Sequence, residues 1–227
     1  AKILSSEAII VSGKKGEQLP FEYESVSIEE IANTNSTSAE ELLSNIGGLE
    51  VEKSAGPGSV AKITIRGSRA NQVLILMDGV PLNDGLSGTV DISQIPINII
   101  ERIEIYKGGV SPLFGSGAIG GAVNIITRHN FKNEFQIKGT TGAFGFYDGE
   151  GLWSASYKKF AIHTSVKYSD VKGDYSYLST VRDTITATRL NADLQSLNIF
   201  SRINYSLKNH QFSVMASWFN SERGFPG

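Results

Sequence analysis

The residues of this chain whose spacing most resembles a chemical motif are Gly115, Gly117 and Gly120 in the stretch FGSGAIGGAVNII, residues 114–126. They fall on the G-x-G-x-x-G pattern, in which glycine backbone and a helix N-terminus cradle the pyrophosphate of a nicotinamide or flavin dinucleotide. That chemistry needs a buried strand before the first glycine and a helix after the last. Here Gly108-Gly109-Val110-Ser111-Pro112 precedes, which is turn material. Ala122-Val123-Asn124-Ile125-Ile126-Thr127 follows, and its β-branched residues favour a strand. Glu134 stands near the position of the acidic ribose ligand, but after a polar stretch and not at the end of a buried strand. The pattern reads as a glycine-rich turn between strands, and no catalytic residues are assigned.

Other chemistry is sparse. The chain has no cysteine, and His129, His163 and His210 are too far apart in sequence to pair as zinc ligands on one helix. Asp170, Asp174, Asp183 and Asp193 crowd one polar stretch, 171–195 with its immediate flank. They lack regular ligand spacing, so no metal or other cofactor is assigned, and calcium in that loop stays open. With 21 basic and 23 acidic residues the net charge is −2, which argues against nucleic acid as a partner.

The elements that carry these residues divide near residue 130. Residues 1–130 hold only Phe21, Tyr23, Tyr106 and Phe114 among the aromatics; all the others, both tryptophans included, follow. In the first region Ser27-Ile28-Glu29-Glu30 and Ser38-Ala39-Glu40-Glu41 have capping-box spacing, and each predicts a short helix, the second stopping at Gly47-Gly48. Ile63 to Gly67, Val73 to Met77 and Arg102 to Tyr106 predict strands, with Pro96 opening a helical turn. A small α+β domain is expected.

The second region alternates. Phe160, Ile162, Val166 and Tyr168 share one face, and His163, Ser165 and Lys167 the other. Leu197, Ile199, Ile203, Tyr205 and Leu207 oppose Asn198, Arg202, Asn204 and Ser206 in the same way, and Phe212, Val214, Ala216 and Trp218 repeat the pattern. A soluble antiparallel sheet also alternates. The connections favour a membrane barrel: Lys158-Lys159 and Lys208-Asn209 are tight turns, whereas 171–195 is long, polar and without periodicity. No apolar run is long enough for a membrane-spanning helix. The opening AKILSSEAIIVSG lacks a basic region and apolar core, so an exported protein is expected here in mature form.

Four stretches, EELLSNIGGLEVE, ITIRGSRANQVLILMDGVPLND, IPINIIERIEIYKGG and PLFGSGAIGGAVNIITR, occur in the order and at the spacings of TonB-dependent outer-membrane receptors. The chain resembles that family over nearly its whole length. The resemblance implies an N-terminal TonB-box segment at 1–15, a plug domain at 16–130, and the first strands of a transmembrane β-barrel at 131–227. The fold class is then an α+β plug followed by antiparallel strands of an incomplete barrel, since the barrel class has about 22 strands. It further implies an outer-membrane receptor of a diderm bacterium that imports a ferric siderophore or cobalamin, performs no chemistry on it, works as a monomer among outer-membrane lipid, and draws energy from TonB. A passive pore or surface adhesin without energy coupling is the alternative.

The same resemblance gives residues their roles. Glu7, Ala8, Ile9, Ile10 and Val11 are similar to a TonB box, whose β-branched residues suit strand addition; a terminal strand of the plug is the other reading. Gly56, Pro57 and Ser59, and Asn83, Asp84, Leu86 and Ser87, fall in loops that would point outward to ligand, or would be plain solvated turns. Arg66 and Lys107 match basic residues that seat the plug on barrel carboxylates, with a lysine where arginine is usual; exposed surface charges are the other reading. Gly115, Gly117, Gly120 and Gly121 become the plug's glycine-rich turn, where positive φ and close backbone packing are needed. A first strand running outward places 143–147 and 171–195 outside, and 158–159 and 208–209 inside.

Overall fold

The computed structural model describes residues 22–27, 30, 36, 38–53, 60–128, 133–179, 185–189, 191–207 and 210–224. The Glu7–Val11 segment, the loop residues Gly56, Pro57 and Ser59, and Lys208-Asn209 lie outside them. The chain forms two compact units, whose described parts are 22–53 with 60–128, and 133–224.

The first unit is built on a mixed sheet of strands β1 (Glu22–Ser27), β4 (Val73–Met77), β5 (Val80–Pro81), β6 (Ile100–Lys107) and β7 (Gly121–Thr127), beside a separate hairpin of β2 (Leu49–Lys53) and β3 (Ala61–Ile65). The sheet order is β1-β6-β7-β4-β5. Strand β7 lies at its centre, antiparallel to β6 and parallel to β4, and every one of its residues is buried. A parallel neighbour and burial on both faces explain the nearly continuous apolar run AVNII. Ile75, Ile103, Ile105, Val123 and Ile125 are all buried in this sheet.

Side chains close both capping-box spacings, and of the helix expected after Ser27 only Glu30 lies among the described residues. Ser38 caps the helix Ala39–Ser44 by accepting from the Glu41 backbone N–H at 3.2 Å, and the helix buries Leu42 and Leu43. It ends at Ser44, before Gly47-Gly48, because the Asn45 and Ile46 N–H groups already donate to Leu42 and Leu43 carbonyls. At the other box the Ser27 N–H donates to Glu30 Oε2 at 2.7 Å and the Glu30 N–H to Ser27 Oγ at 3.4 Å. Pro96 precedes the helical turn Ile97–Ile99 as expected.

The second unit is an antiparallel meander of β8 (Glu134–Gly142), β9 (Phe146–Tyr157), β10 (Phe160–Val171), β13 (Leu194–Leu207) and β14 (His210–Arg223). Its register places Phe160 beside Tyr157 and Tyr205, and Ile162 beside Ala155 and Ile203. Sidedness is the reverse of a soluble sheet. Phe135 is 70% exposed and Trp218 53%, with Trp153, Tyr168, Ile203 and Val214 also exposed on the apolar face. The face bearing Ser154, His163, Ser165, Asn198, Arg202 and Asn204 is buried, with Leu152 and Phe200 among them. On the apolar face the hydroxyls of Thr164 and Ser201 bond each other at 2.9 Å, which satisfies two polar groups without water.

One expectation is corrected. Residues 171–195 are not a strandless loop: β11 (Tyr175–Ser179) and β12 (Ile185–Arg189) pair as an antiparallel hairpin. Cross-strand hydrogen bonding, for instance Ser176 to Thr188 through their hydroxyls at 3.3 Å, supports a pairing that needs no apolar face.

Candidate functional site

Within the first unit, the loop after β5 carries the expected ligand-facing residues, and they do different work. Asn83 turns inward: its Oδ1 accepts from the Ile75 N–H at 2.8 Å, while its Nδ2 donates to the carbonyls of Val73 at 3.0 Å and Gly88 at 2.8 Å. It is a brace between loop and strand. Asp84 folds the tip, with Oδ1 accepting from the N–H groups of Leu86 and Ser87 and Oδ2 from the Ser87 hydroxyl. The Ser87 hydroxyl, then the Ser87 and Leu86 N–H groups, hold the Asp84 carboxyl below its ordinary range. Leu86 stands at the tip with its side chain 100% exposed.

A partly buried polar chain ties the β4–β5 turn, Asp78-Gly79, to the sheet. Asp78, in the left-handed conformation, accepts from the Thr127 N–H at 2.9 Å and its hydroxyl at 2.6 Å. Asn124 accepts from the Gly79 N–H at 3.0 Å and donates to Glu104 Oε2 at 3.1 Å. Arg102 donates through Nε and Nη2 to the other oxygen of Glu104, and the Tyr106 hydroxyl donates to Oε2 at 3.2 Å. Burial, then the Glu104 charge, push the Tyr106 phenol well above its ordinary value, so it remains a donor. Asp78, Asn124 and Thr127 lie in quoted sequence stretches that gave them no role. Asp78 and Thr127 stand at strand ends, where side chains complete the hydrogen bonding of β-turns, and the signal of Asn124 is an amide in the middle of an otherwise apolar strand.

Arg66 and Lys107 come together on β1. Arg66 pairs with Glu22, and Lys107 Nζ lies between Glu24 and Glu22. The acids are on alternate positions of one strand, so both point the same way. The described partners of these two cations are therefore carboxylates of the plug's own first strand.

The glycines separate by need. Gly115 has φ +91 in open space, turning the chain out of the helical turn Ser111–Phe114. Gly121 has φ +143, and a Cβ there would lie 2.5 Å from the Tyr106 carbonyl oxygen and 2.8 Å from Ile65 Cδ1. Gly120 does not need positive φ; its limit is space, with Ser68 Oγ 2.5 Å from a Cβ. At Gly117 a Cβ would make an ordinary contact with Leu74. The segment after Gly120 is strand β7, so no helix N-terminus exists there to receive a pyrophosphate.

Among the described residues, no group of three or more His, Cys, Asp or Glu side chains is placed to hold a metal ion. Asp170 instead accepts from the Tyr168 hydroxyl at 3.3 Å and from Gln195 at 3.4 Å, and Asp183 lies outside the described residues.

Comparison with known proteins places this geometry. The family model of the TonB-dependent receptor plug domain matches residues 15–122. The fold is similar to that of the siderophore receptor PiuA from Acinetobacter baumannii, with TM-score 0.65 at 17% identity over 89% of this chain and 26% of that one. It is similar to the copper transporter OprC, with TM-score 0.69 at 15% identity over 90% of this chain and 32% of that one. The ferric yersiniabactin uptake receptor FyuA from Yersinia pestis gives TM-score 0.62 at 17% identity over 88% and 32%. The chain spans about a quarter to a third of the length of these structures. TonB-dependent receptors are outer-membrane proteins of Gram-negative bacteria, and they are not enzymes. Residues 15–122 belong to the TonB-dependent receptor plug family, and the chain carries that plug followed by antiparallel strands of an incomplete β-barrel of the kind those receptors have.

Proposed function

We propose that this chain is part of a receptor that binds a scarce nutrient complex at the cell surface and imports it with energy delivered by TonB. The carrying observation is the plug match at 15–122 joined to a sheet whose apolar face is outward. A closed lumen needs work to open, and a plug with an anchored loop on one side supplies both a closure and a docking point. The cargo is a ferric siderophore or cobalamin. Fold similarity to proteins described as siderophore receptors and a copper transporter supports a metal-bearing small complex. Leu86, Asp84 and Ser87 offer an apolar tip and polar groups for its contact, and Gly56, Pro57 and Ser59 are assigned the same role from their positions in the sequence. Nothing in this reading needs a resident cofactor or nucleic acid, and the receptor works as a monomer in outer-membrane lipid.

Glu7 to Val11 is assigned as the TonB-binding strand. Ile10→Pro removes a main-chain donor and fixes φ, which abolishes strand addition. In the full-length receptor this variant should bind cargo at the cell surface as the parent does and import none. Uptake at the parental rate would reject the box. Cargo passing through equally well in cells lacking TonB would favour the passive pore.

A further inference from the structure

A row of aromatic side chains crosses the second unit at one level. Tyr157 on β9 is paired with Phe160 on β10, Phe160 with Tyr205 on β13, and Tyr205 with Phe212 on β14. The four belong to the outward apolar face; Tyr157, Phe160 and Phe212 are exposed, and the Phe160 and Tyr205 rings meet with centroids 4.7 Å apart. Immediately beyond this row, Lys158-Lys159 forms the two-residue turn between β9 and β10. The turn is held in place: Lys158 adopts φ 53, and the Lys159 carbonyl accepts from the Ser206 N–H at 2.9 Å. Lys158 Nζ stands over the Tyr157 ring, 5.1 Å from its centroid. Both lysines are exposed, and among the described residues neither has a carboxylate partner.

The other end of the same face has a second aromatic level, with Tyr168 on β10 and Tyr147 on β9, both exposed. Phe160 and Tyr168 are eight residues apart, about 26 Å along a strand and about 20 Å along the normal of a barrel whose strands tilt by roughly 40°. Between them face Ile162, Thr164 and Val166, with the Thr164 hydroxyl satisfied by Ser201. Tyr147, level with Asp170, extends the span to about 25 Å, the height of a barrel's apolar band with an aromatic level at each boundary.

Resting on the barrel reading, we propose that Tyr157, Lys158, Lys159 and Phe160 form a binding site for the headgroup of an anionic glycerophospholipid. The rings take the glycerol and upper acyl region, and the two ammonium groups take the phosphate. Two cations without acidic partners among the described residues prefer a headgroup of net negative charge, because the ammonium of a zwitterionic headgroup competes with them for the same phosphate. The fixed turn keeps both charges at the boundary without further ordering, and a bound lipid there sets the height of the β9–β10 hairpin in the bilayer. The opposite boundary has a cation at Lys172, exposed just after β10, which serves as the control.

The test uses the full-length receptor in detergent, titrated with phosphatidylglycerol or phosphatidylcholine of identical chains, with bound lipid counted by native mass spectrometry. The parent should bind phosphatidylglycerol at least fivefold more tightly, about what one lysine near an anionic surface contributes. Lys158→Gln with Lys159→Gln should remove the preference, the double arginine variant should keep it, and Lys172→Gln should leave it unchanged. Inorganic phosphate at millimolar concentration should not displace the lipid. Equal binding of the two lipids by the parent, survival of the preference in the glutamine variant, or displacement by inorganic phosphate would each overturn the proposal. These outcomes leave TonB-coupled uptake untouched, whereas binding of neither lipid would remove the barrel reading as well.

Discussion

Lys107 Nζ lies 2.5 Å from Glu24 Oε2, and the lysine side chain is 7% exposed whereas the glutamate is 42% exposed. A buried ammonium thus depends on an acid at the edge of the sheet, where Glu22 links it to Arg66. Losing one member of a buried pair costs about 3–5 kcal/mol and of an exposed pair under about 1. Glu24→Gln is therefore expected to cost about 2 kcal/mol, since Glu22 stays as a second partner. Hydrogen exchange of the β1 amides in the full-length receptor should accelerate about 30-fold. Unchanged exchange would mean that the pair adds nothing to holding β1.

Gly121→Ala should damage the plug more than Gly120→Ala, and Gly115→Ala less than either. At Gly121 the added carbon meets a backbone carbonyl in a conformation that already disfavours side chains; at Gly120 it meets the Ser68 side chain, and at Gly115 nothing. Strain alone costs about 1 kcal/mol or a little more, so the Gly115 variant sets the scale. Trypsin sensitivity of the plug in the full-length receptor would rank the three. Equal sensitivity of Gly121→Ala and Gly115→Ala would reject packing as the reason for Gly121.

The loop after β5 separates support from contact. Asn83→Ala removes three hydrogen bonds to strand and loop backbone and should loosen residues 82–89 to exchange. Leu86→Asp should leave exchange unchanged and weaken cargo binding about tenfold, since it places a charge where an apolar contact is proposed. Asp84 adds a pH dependence whose sign is set by its lowered value. Its contribution is complete above the ordinary carboxylate value of about 3.9 and is lost as pH falls through the depressed one. Loosening of the tip at pH 6 would contradict this.

Sidedness is open to labelling, because residues 1–227 contain no native cysteine. Thr188→Cys on β12 should react with an impermeant maleimide on intact cells, and Lys159→Cys in the β9–β10 turn should not. The opposite result would invert the barrel, and equal reaction would remove the membrane assignment.

The meander strands were legible because alternation over a dozen residues has one explanation when polar and apolar sets fall on opposite faces, as from Phe160 to Tyr168. Strand β1 was not, because EYESVS has weak alternation and gains its place by pairing with β6, more than 70 residues later. The hairpin β11–β12 was hidden because each strand is only five residues long, YSYLS and ITATR, too short for its alternation to stand out in a polar stretch. In the loop, Asn83 and Leu86 looked equivalent as turn residues, since polarity does not reveal which way an amide points. The Glu22–Arg66 pair spans 44 positions and left no local trace.

Strand β1 has one more consequence, in the order of assembly. Its first residue pairs with Lys107, the last residue of β6, so the strand docks onto one that follows it by more than 70 residues. Closing so long a loop before β6 and β7 have joined is unfavourable. The open side of β6 is therefore a bare edge until β1 docks, a template for wrong pairing. Pulse-labelled exchange during refolding should protect β4, β6 and β7 first and β1 last, and the acids at Glu22 and Glu24 then act as the closing fasteners of a sheet otherwise complete.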